Sequence, residues 1–192
     1  MAMTVPPEVV AALAGSPEVG AWEPMFPLLT VDESGFPHVC LLSRAELDSD
    51  LHHVYAVLAS PTTVTNLSRR PAATLMVIVD DCAYYLKLGV IHVSGSGLQA
   101  VVFEVISSVS DSLAIPLTPP RYLVASSLPV AEAWARSAEL LSSLTGRNGG
   151  SGSGEAHRHG AEVVEVGGDM VAGLDADRLG DAAGHDEGPG RD

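Results

Sequence analysis

Basic residues are scarce in this chain. Lysine occurs once, and Lys and Arg together number 10 against 24 Asp and Glu, a formal net charge of −14 over 192 residues. Binding to nucleic acid by counterion release needs clustered Lys and Arg, so this balance argues against a nucleic-acid partner. It disfavours an anionic membrane surface for the same reason, and the acidity itself mostly favours solubility. Long apolar runs are also missing, and no window approaches the roughly 20 residues of a membrane-spanning helix. The N-terminus lacks the basic start and apolar stretch of a signal peptide. A cytoplasmic protein is the expectation. Cysteine is limited to Cys40 and Cys82, both in strand-like apolar runs. Buried free thiols in a reducing compartment are the simpler reading, with a disulfide left open.

Several catalytic signatures are absent as well. The chain has no G-x-S-x-G elbow, Walker loop, H-E-x-x-H or C-x-x-C. His38, His52, His53 and His92 are scattered over β segments without acidic or cysteine companions at ligand spacing, so no metal site is expected. His157-Arg158-His159 lies among glycines and reads as solvated. Asp80-Asp81, beside Asp48 and Asp50, reads as turn acids facing solvent rather than as a catalytic carboxylate pair. Gly95-Ser96-Gly97-Leu98-Gln99-Ala100 fits the loose pattern G-x-G-x-x-A, but residues 101–106 are strand-like where a dinucleotide fold needs a helix. A hairpin turn accounts for it better.

What the chain does have is a sharp division near Gly146. Residues 146–192 hold 13 of the 19 glycines and ten acidic residues against four basic, with no Phe, Trp or Tyr. Such a segment cannot bury enough apolar surface to offset chain entropy, so a disordered acidic tail is expected there. The boundaries drawn are a helical N-terminal segment at 1–19, a main domain at 20–145 and the tail at 146–192.

The main domain reads as mainly β. Apolar runs at 25–31, 37–43, 53–58, 74–79, 83–93 and 99–109 are separated mostly by short turns rich in Asp, Gly and Ser. That pattern favours a small antiparallel barrel over βαβ units. Residues 7–13 predict a short amphipathic helix. Val130, Ala133, Trp134, Ser137, Leu141 and Leu144 recur at helical spacing, with Pro129 before them and Gly146 after. Trp134 reads as core rather than as a platform for a ligand.

The most informative stretch is 59–71. Ser60 suits a helix N-cap, Pro61 suits the first turn, and Pro71 stops the helix. Its first turn sets unpaired N–H groups beside the hydroxyls of Ser60, Thr62 and Thr63, a place to hold an anion such as a phosphate. Arg69 and Arg70, two of the six basic residues before position 146, sit on the same element. A capped connector and an anion site both fit these residues.

Three blocks resemble the pyridoxamine 5′-phosphate oxidase-like, FMN-binding split-barrel family. The first runs from Leu29 through Thr30, Asp32, Gly35, Pro37 and His38 to Val39. The second covers 60–67 with Pro71, and the third is 83–88. Together with Trp134 they span the domain from about residue 20 to 145. The resemblance implies a six-stranded antiparallel split β-barrel with short flanking helices, working as a homodimer with FMN between the subunits and acting on a small molecule. It places the backbone of His38, Val39, Cys40 and Leu41 along the flavin, and the FMN phosphate at Ser60, Thr62, Thr63 and Asn66. It assigns no catalytic side chain.

Two departures bear on function. Thr62 and Thr63 stand where the family usually has Arg followed by Lys or Thr, with Arg44, Arg69 and Arg70 as candidate substitutes. The C-terminal Arg-Pro and Trp-Gly-Gly pattern of true pyridoxamine-phosphate oxidases is absent. The expectation is therefore a flavin-dependent oxidoreductase of unknown substrate, related to those oxidases without sharing their activity. The alternatives are a non-catalytic barrel that holds flavin, deazaflavin or haem for storage or sensing, one that has lost its cofactor, and a structural dimer whose tail recruits a partner.

Overall fold

The computed structural model describes residues 3–14, 21–112 and 114–146. The expected tail and its His157 and His159 therefore lie outside the described residues, save for Gly146. Among the described residues no helix is long and apolar enough to cross a membrane.

All six apolar runs form strands. They are β2 (Phe26–Val31), β3 (Pro37–Leu42), β5 (His53–Leu58), β6 (Ala72–Val79), β7 (Cys82–Ser94) and β8 (Gln99–Ser112). Three strands of three residues each add to them: β1 (Trp22–Pro24), β4 (Leu47–Ser49) and β9 (Arg121–Leu123). The main sheet has the order β3-β2-β6-β7-β8-β5-β4, and every pairing in it is antiparallel. β1 and β9 pair separately. The fold is thus mostly β, a curled antiparallel sheet forming a half-barrel with a few short helices.

The turns follow their residue chemistry. Asp32 accepts the Phe36 N–H at its side chain, and Gly35 takes φ +86° to close the β2–β3 hairpin. Gly95 opens the β7–β8 turn at φ +109°, where a Cβ would lie 2.4 Å from the Leu98 carbonyl oxygen. That position requires glycine, and the G-x-G segment is a hairpin turn, as the strand-like residues after it predict.

The core lies inside the curl, built from alternate residues of the strands: Phe26 and Leu28, Val54, Ala56 and Leu58, Leu75 and Val77, Leu86 and Leu88, Val101 and Phe103. Helix α1 (Pro7–Leu13) spans the predicted segment and contributes Val9 and Leu13, with Val5 just before it. It packs against both β4, at one edge of the sheet, and β6, near its middle. Those two strands reach one helix because the sheet bends around it.

Helix α2 (Pro61–Arg69) carries the predicted cap: Ser60 Oγ accepts the Thr63 N–H at 3.3 Å. The predicted C-terminal helix divides into α3 (Leu128–Ala131) and α4 (Trp134–Thr145), separated at Ala133, which has φ +50°. Val130 is consequently 83% exposed and off the apolar stripe, while Trp134, Ser137 and Leu141 are buried. Gly146 ends α4 in the left-handed conformation expected of a C-terminal glycine. Two further expectations change. Cys40 and Cys82 are free thiols, but half-buried rather than buried. Asp48 does not face solvent; it is buried on β4, where its carboxylate accepts the Ser49 N–H at 2.8 Å.

Candidate functional site

Helix α2 lies across β2, β3 and β5, so the second resemblance block sits directly on the first. Two side-chain bonds join them. Asn66 Nδ2 donates to Thr30 Oγ1 on β2 at 3.0 Å, and His38 Nε2 on β3 lies 3.2 Å from Thr63 Oγ1. The Thr63 hydroxyl proton goes to Ser60 Oγ at 3.0 Å. Its oxygen also meets the imidazole, with the donor and acceptor roles there following the His38 tautomer. Cys40, two residues along on the same side of β3, belongs to this cluster. Burial pushes its thiol pKa up, and its interaction with the Thr63 side chain partly offsets the rise.

The expected phosphate contacts therefore separate into two groups. Ser60, Thr63 and Asn66 turn inward: Ser60 and Thr63 bind each other, Thr63 meets His38, and Asn66 binds Thr30 and Arg69. Thr62 alone of the four faces out. In the first turn of α2, Pro61 has no N–H, the Thr63 N–H is taken by Ser60 Oγ, and the Val64 N–H by the Ser60 carbonyl. The Thr62 N–H is the one that such a helix cannot pair within itself. Thr62 lines a groove of about 330 Å³ together with Asp32, Glu33, Ser34, Pro61, Thr65 and Arg69, and the largely buried Asn66 also reaches its wall. The β2–β3 hairpin forms one wall and α2 the other.

Of the three candidate substitutes for the missing arginine, Arg69 lines this groove. It donates to Asn66 Oδ1 at 2.9 Å and stands 3.6 Å from Glu33 Oε2. Arg44 is committed elsewhere: both its Nε and its Nη2 reach Glu23 Oε2, at 2.9 and 2.7 Å. Arg70 is exposed at the far end of α2. The groove thus offers a backbone N–H, the hydroxyls of Thr62 and Thr65 and one guanidinium, a donor set that fits a phosphate. Against it stand two carboxylates, of which Asp32 already accepts the Phe36 N–H.

On β3, Val39 and Leu41 put their side chains on the face opposite His38 and Cys40, and both are about half exposed. The Leu41 carbonyl accepts a 2.8 Å hydrogen bond from the Tyr122 hydroxyl of β9. Leu41, Tyr122, Glu46, Leu128, Glu132 and Trp134 enclose a second, smaller cavity of about 100 Å³. Sequence reading passed over its polar residues. One signal was there, because Ser43-Arg44-Ala45-Glu46 has the spacing of a capping box. Glu46 Oε2 indeed accepts from both the N–H and the hydroxyl of Ser43, at 2.9 and 2.7 Å. Burial raises the Glu46 pKa; the Ser43 bonds work against that rise and the Glu132 charge adds to it.

No known protein family matches the sequence, and no curated protein matches it. Among solved structures the chain is similar to an F420 reductase, at 13% identity over 45% of this chain and 89% of that one, with a TM-score of 0.39. It is also similar to a protein of the pyridoxinephosphate oxidase family from Clostridium acetobutylicum, at 11% identity over 52% and 85%, TM-score 0.41. A third is the styrene monooxygenase flavin reductase of Pseudomonas putida S12, at 10% identity over 54% and 93%, TM-score 0.40.

Proposed function

We infer that this protein binds FMN, with the flavin phosphate in the groove between α2 and the β2–β3 hairpin. The observation that carries the reading is the joining of Thr63 to His38 and of Asn66 to Thr30. Residues from two resemblance blocks, 25 and 36 positions apart, form one surface. In this reading Thr62 supplies its N–H and hydroxyl, Thr65 a hydroxyl, and Arg69 the positive charge. Ser60, Thr63 and Asn66 act behind them as struts that fix the helix on β2 and β3. The backbone of His38 to Leu41 runs along the flavin ring. Bound FMN supplies one- and two-electron redox chemistry, and the chain supplies orientation and electrostatics. The protein is then a flavin-dependent oxidoreductase acting on a small molecule in the cytoplasm.

A homodimer completes this reading. Ile91 and Val93 on β7, Ile106 and Val109 on β8, and Val39 and Leu41 on β3 are all about half exposed. Apolar strand faces of this kind suit a partner subunit. Size-exclusion chromatography with light scattering measures the mass directly.

The test of the cofactor is a titration of the purified chain with FMN, monitored by quenching of flavin fluorescence. Saturable quenching is expected. A preparation that carries no flavin and leaves FMN fluorescence unquenched rejects the reading. A second reading, a barrel that binds its cofactor without turnover, draws on Thr62 in place of arginine and on Asp32 and Glu33 beside the groove. FMN that binds but stays oxidised in the presence of NADH and NADPH favours it.

A further inference from the structure

Two halves of one predicted helix part at Ala133, and the bend conflicts with its own residues. Ala133 has φ +50° and ψ +38°. In that left-handed conformation the Cβ of an alanine crowds the backbone, and glycine is the residue that adopts it freely. The bend also leaves Val130 83% exposed, while Leu128 is half-buried in the wall of the 100 Å³ cavity that Leu41 and Tyr122 line. Glu132 lines that cavity with Glu46, and no basic residue lines it. The Glu132 charge is one cause of the raised Glu46 pKa, so the two carboxylates oppose each other there.

A straight helix from Leu128 to Thr145 relieves each of these. At about 100° per residue, Val130 falls about 40° from Trp134, on the stripe that Trp134, Ser137 and Leu141 already bury. Glu132 falls about 200° from Trp134, facing away from Glu46. It then stands four positions ahead of Arg136, the favourable order for an ion pair on a helix. In the bent form Arg136 pairs with Glu139 instead. Pro129 is no obstacle, because the first turn of a helix leaves its N–H groups unpaired. The loss is Leu128, which turns about 240° from Trp134 and leaves the cavity. The two forms thus trade one buried aliphatic side chain for another.

We propose that α3 is a lid hinged at Ala133, which swings between the bent form and a straight continuation of α4 and so covers or uncovers the Leu41 side of β3. Closed, Leu128 completes the cavity wall. Open, the cavity joins the solvent beside the half-exposed Val39 and Leu41 side chains, where a small molecule can reach them. The hinge is a property of the chain alone and does not rest on the flavin reading.

The test uses the full chain without flavin, in a Trp22→Phe background that leaves Trp134 as the sole indole. Trp134 lines the cavity and is 5% exposed, so its quenching by acrylamide reads the opening of the lid. Leu128→Ser removes the anchor of the closed form and should raise the quenching constant several-fold. Ala133→Val, whose branched side chain is excluded from the left-handed region, should raise it as well. In the Leu128→Ser chain, adding Ala133→Gly relaxes the bend, and adding Val130→Ser deprives the straight form of its buried valine. Each addition should return quenching towards the parent value. Val130 is exposed in the bent form, so a rigid molecule whose cavity wall had only been thinned would not respond to Val130→Ser. Quenching unmoved by both Leu128→Ser and Ala133→Val, or a rise in Leu128→Ser that either addition leaves unaltered, overturns the proposal.

Discussion

His38 on β3 and Thr63 on α2 meet at 3.2 Å, and the threonine hydroxyl relays that contact to Ser60 at 3.0 Å. A strand and the start of a helix are thereby joined through one fully buried hydroxyl. Thr63→Val keeps the shape and removes the oxygen, leaving His38 and Ser60 each short of a partner. A loss of about 1–2 kcal/mol is expected, read as a lower urea midpoint at unchanged slope. No change in midpoint would mean that water replaces the hydroxyl.

The phosphate assignment makes opposite demands on two neighbours in the groove. Arg69→Ala should weaken FMN at least about tenfold, as befits loss of a charge-assisted contact. Glu33→Gln should tighten it a few-fold, because it frees Arg69 from a carboxylate 3.6 Å away. Raising the salt concentration should narrow both differences. Equal affinity in wild type and Arg69→Ala would move the phosphate away from this groove.

Glu23 is 2% exposed, and Arg44 places two nitrogens on its Oε2. Arg44→Met removes the charged partner of that buried carboxylate and should cost about 3 kcal/mol, the lower end for breaking a buried pair because the guanidinium is partly solvated. Glu23→Gln, which removes the buried charge itself, should cost less. Chemical denaturation of the two variants side by side gives the ranking, and the reverse order would contradict it.

Asp50 governs the acid side. Burial alone would raise its carboxyl, but hydrogen bonds from the Tyr55 hydroxyl, the His52 and His53 N–H groups and the His53 ring outweigh it and hold the pKa at about 2. The folded value lies below the unfolded one of 3.8, so this contribution is present above 3.8 and lost as pH falls towards about 2. Asp50→Asn should therefore flatten the stability profile across that window. A profile unchanged from wild type would show that the four bonds do not survive in solution.

Local signals made most of the fold legible. The six long strands followed from apolar runs between turn residues, and α2 from Ser60, Pro61 and Pro71. What stayed hidden depends on residues far apart in sequence. β1 and β9 are three residues each and pair Trp22 with Leu123 across about a hundred positions, beyond the reach of any periodicity. The break at Ala133 needs a left-handed alanine, which its residue type does not announce. Within the site, the sequence singled out Ser60, Thr62, Thr63 and Asn66 but could not tell which way each would face. Helical geometry sends Thr62 outward while Thr63 and Asn66, on the inner side, meet β2 and β3. The Trp134 cavity was illegible for the same reason, since its walls come from three distant segments.

Helix α1 has seven residues, fewer than a helix needs to persist alone in water. Val5, Val9 and Leu13 are nonetheless fully buried, against strands that end as late as residue 79. During synthesis this segment leaves the ribosome before β6 and finds its seat only after β6 has emerged. At roughly 5–20 residues per second that is an interval of several seconds. Throughout it three apolar side chains remain available to chaperones, and a segment made before the strands that hold it is settled only after them.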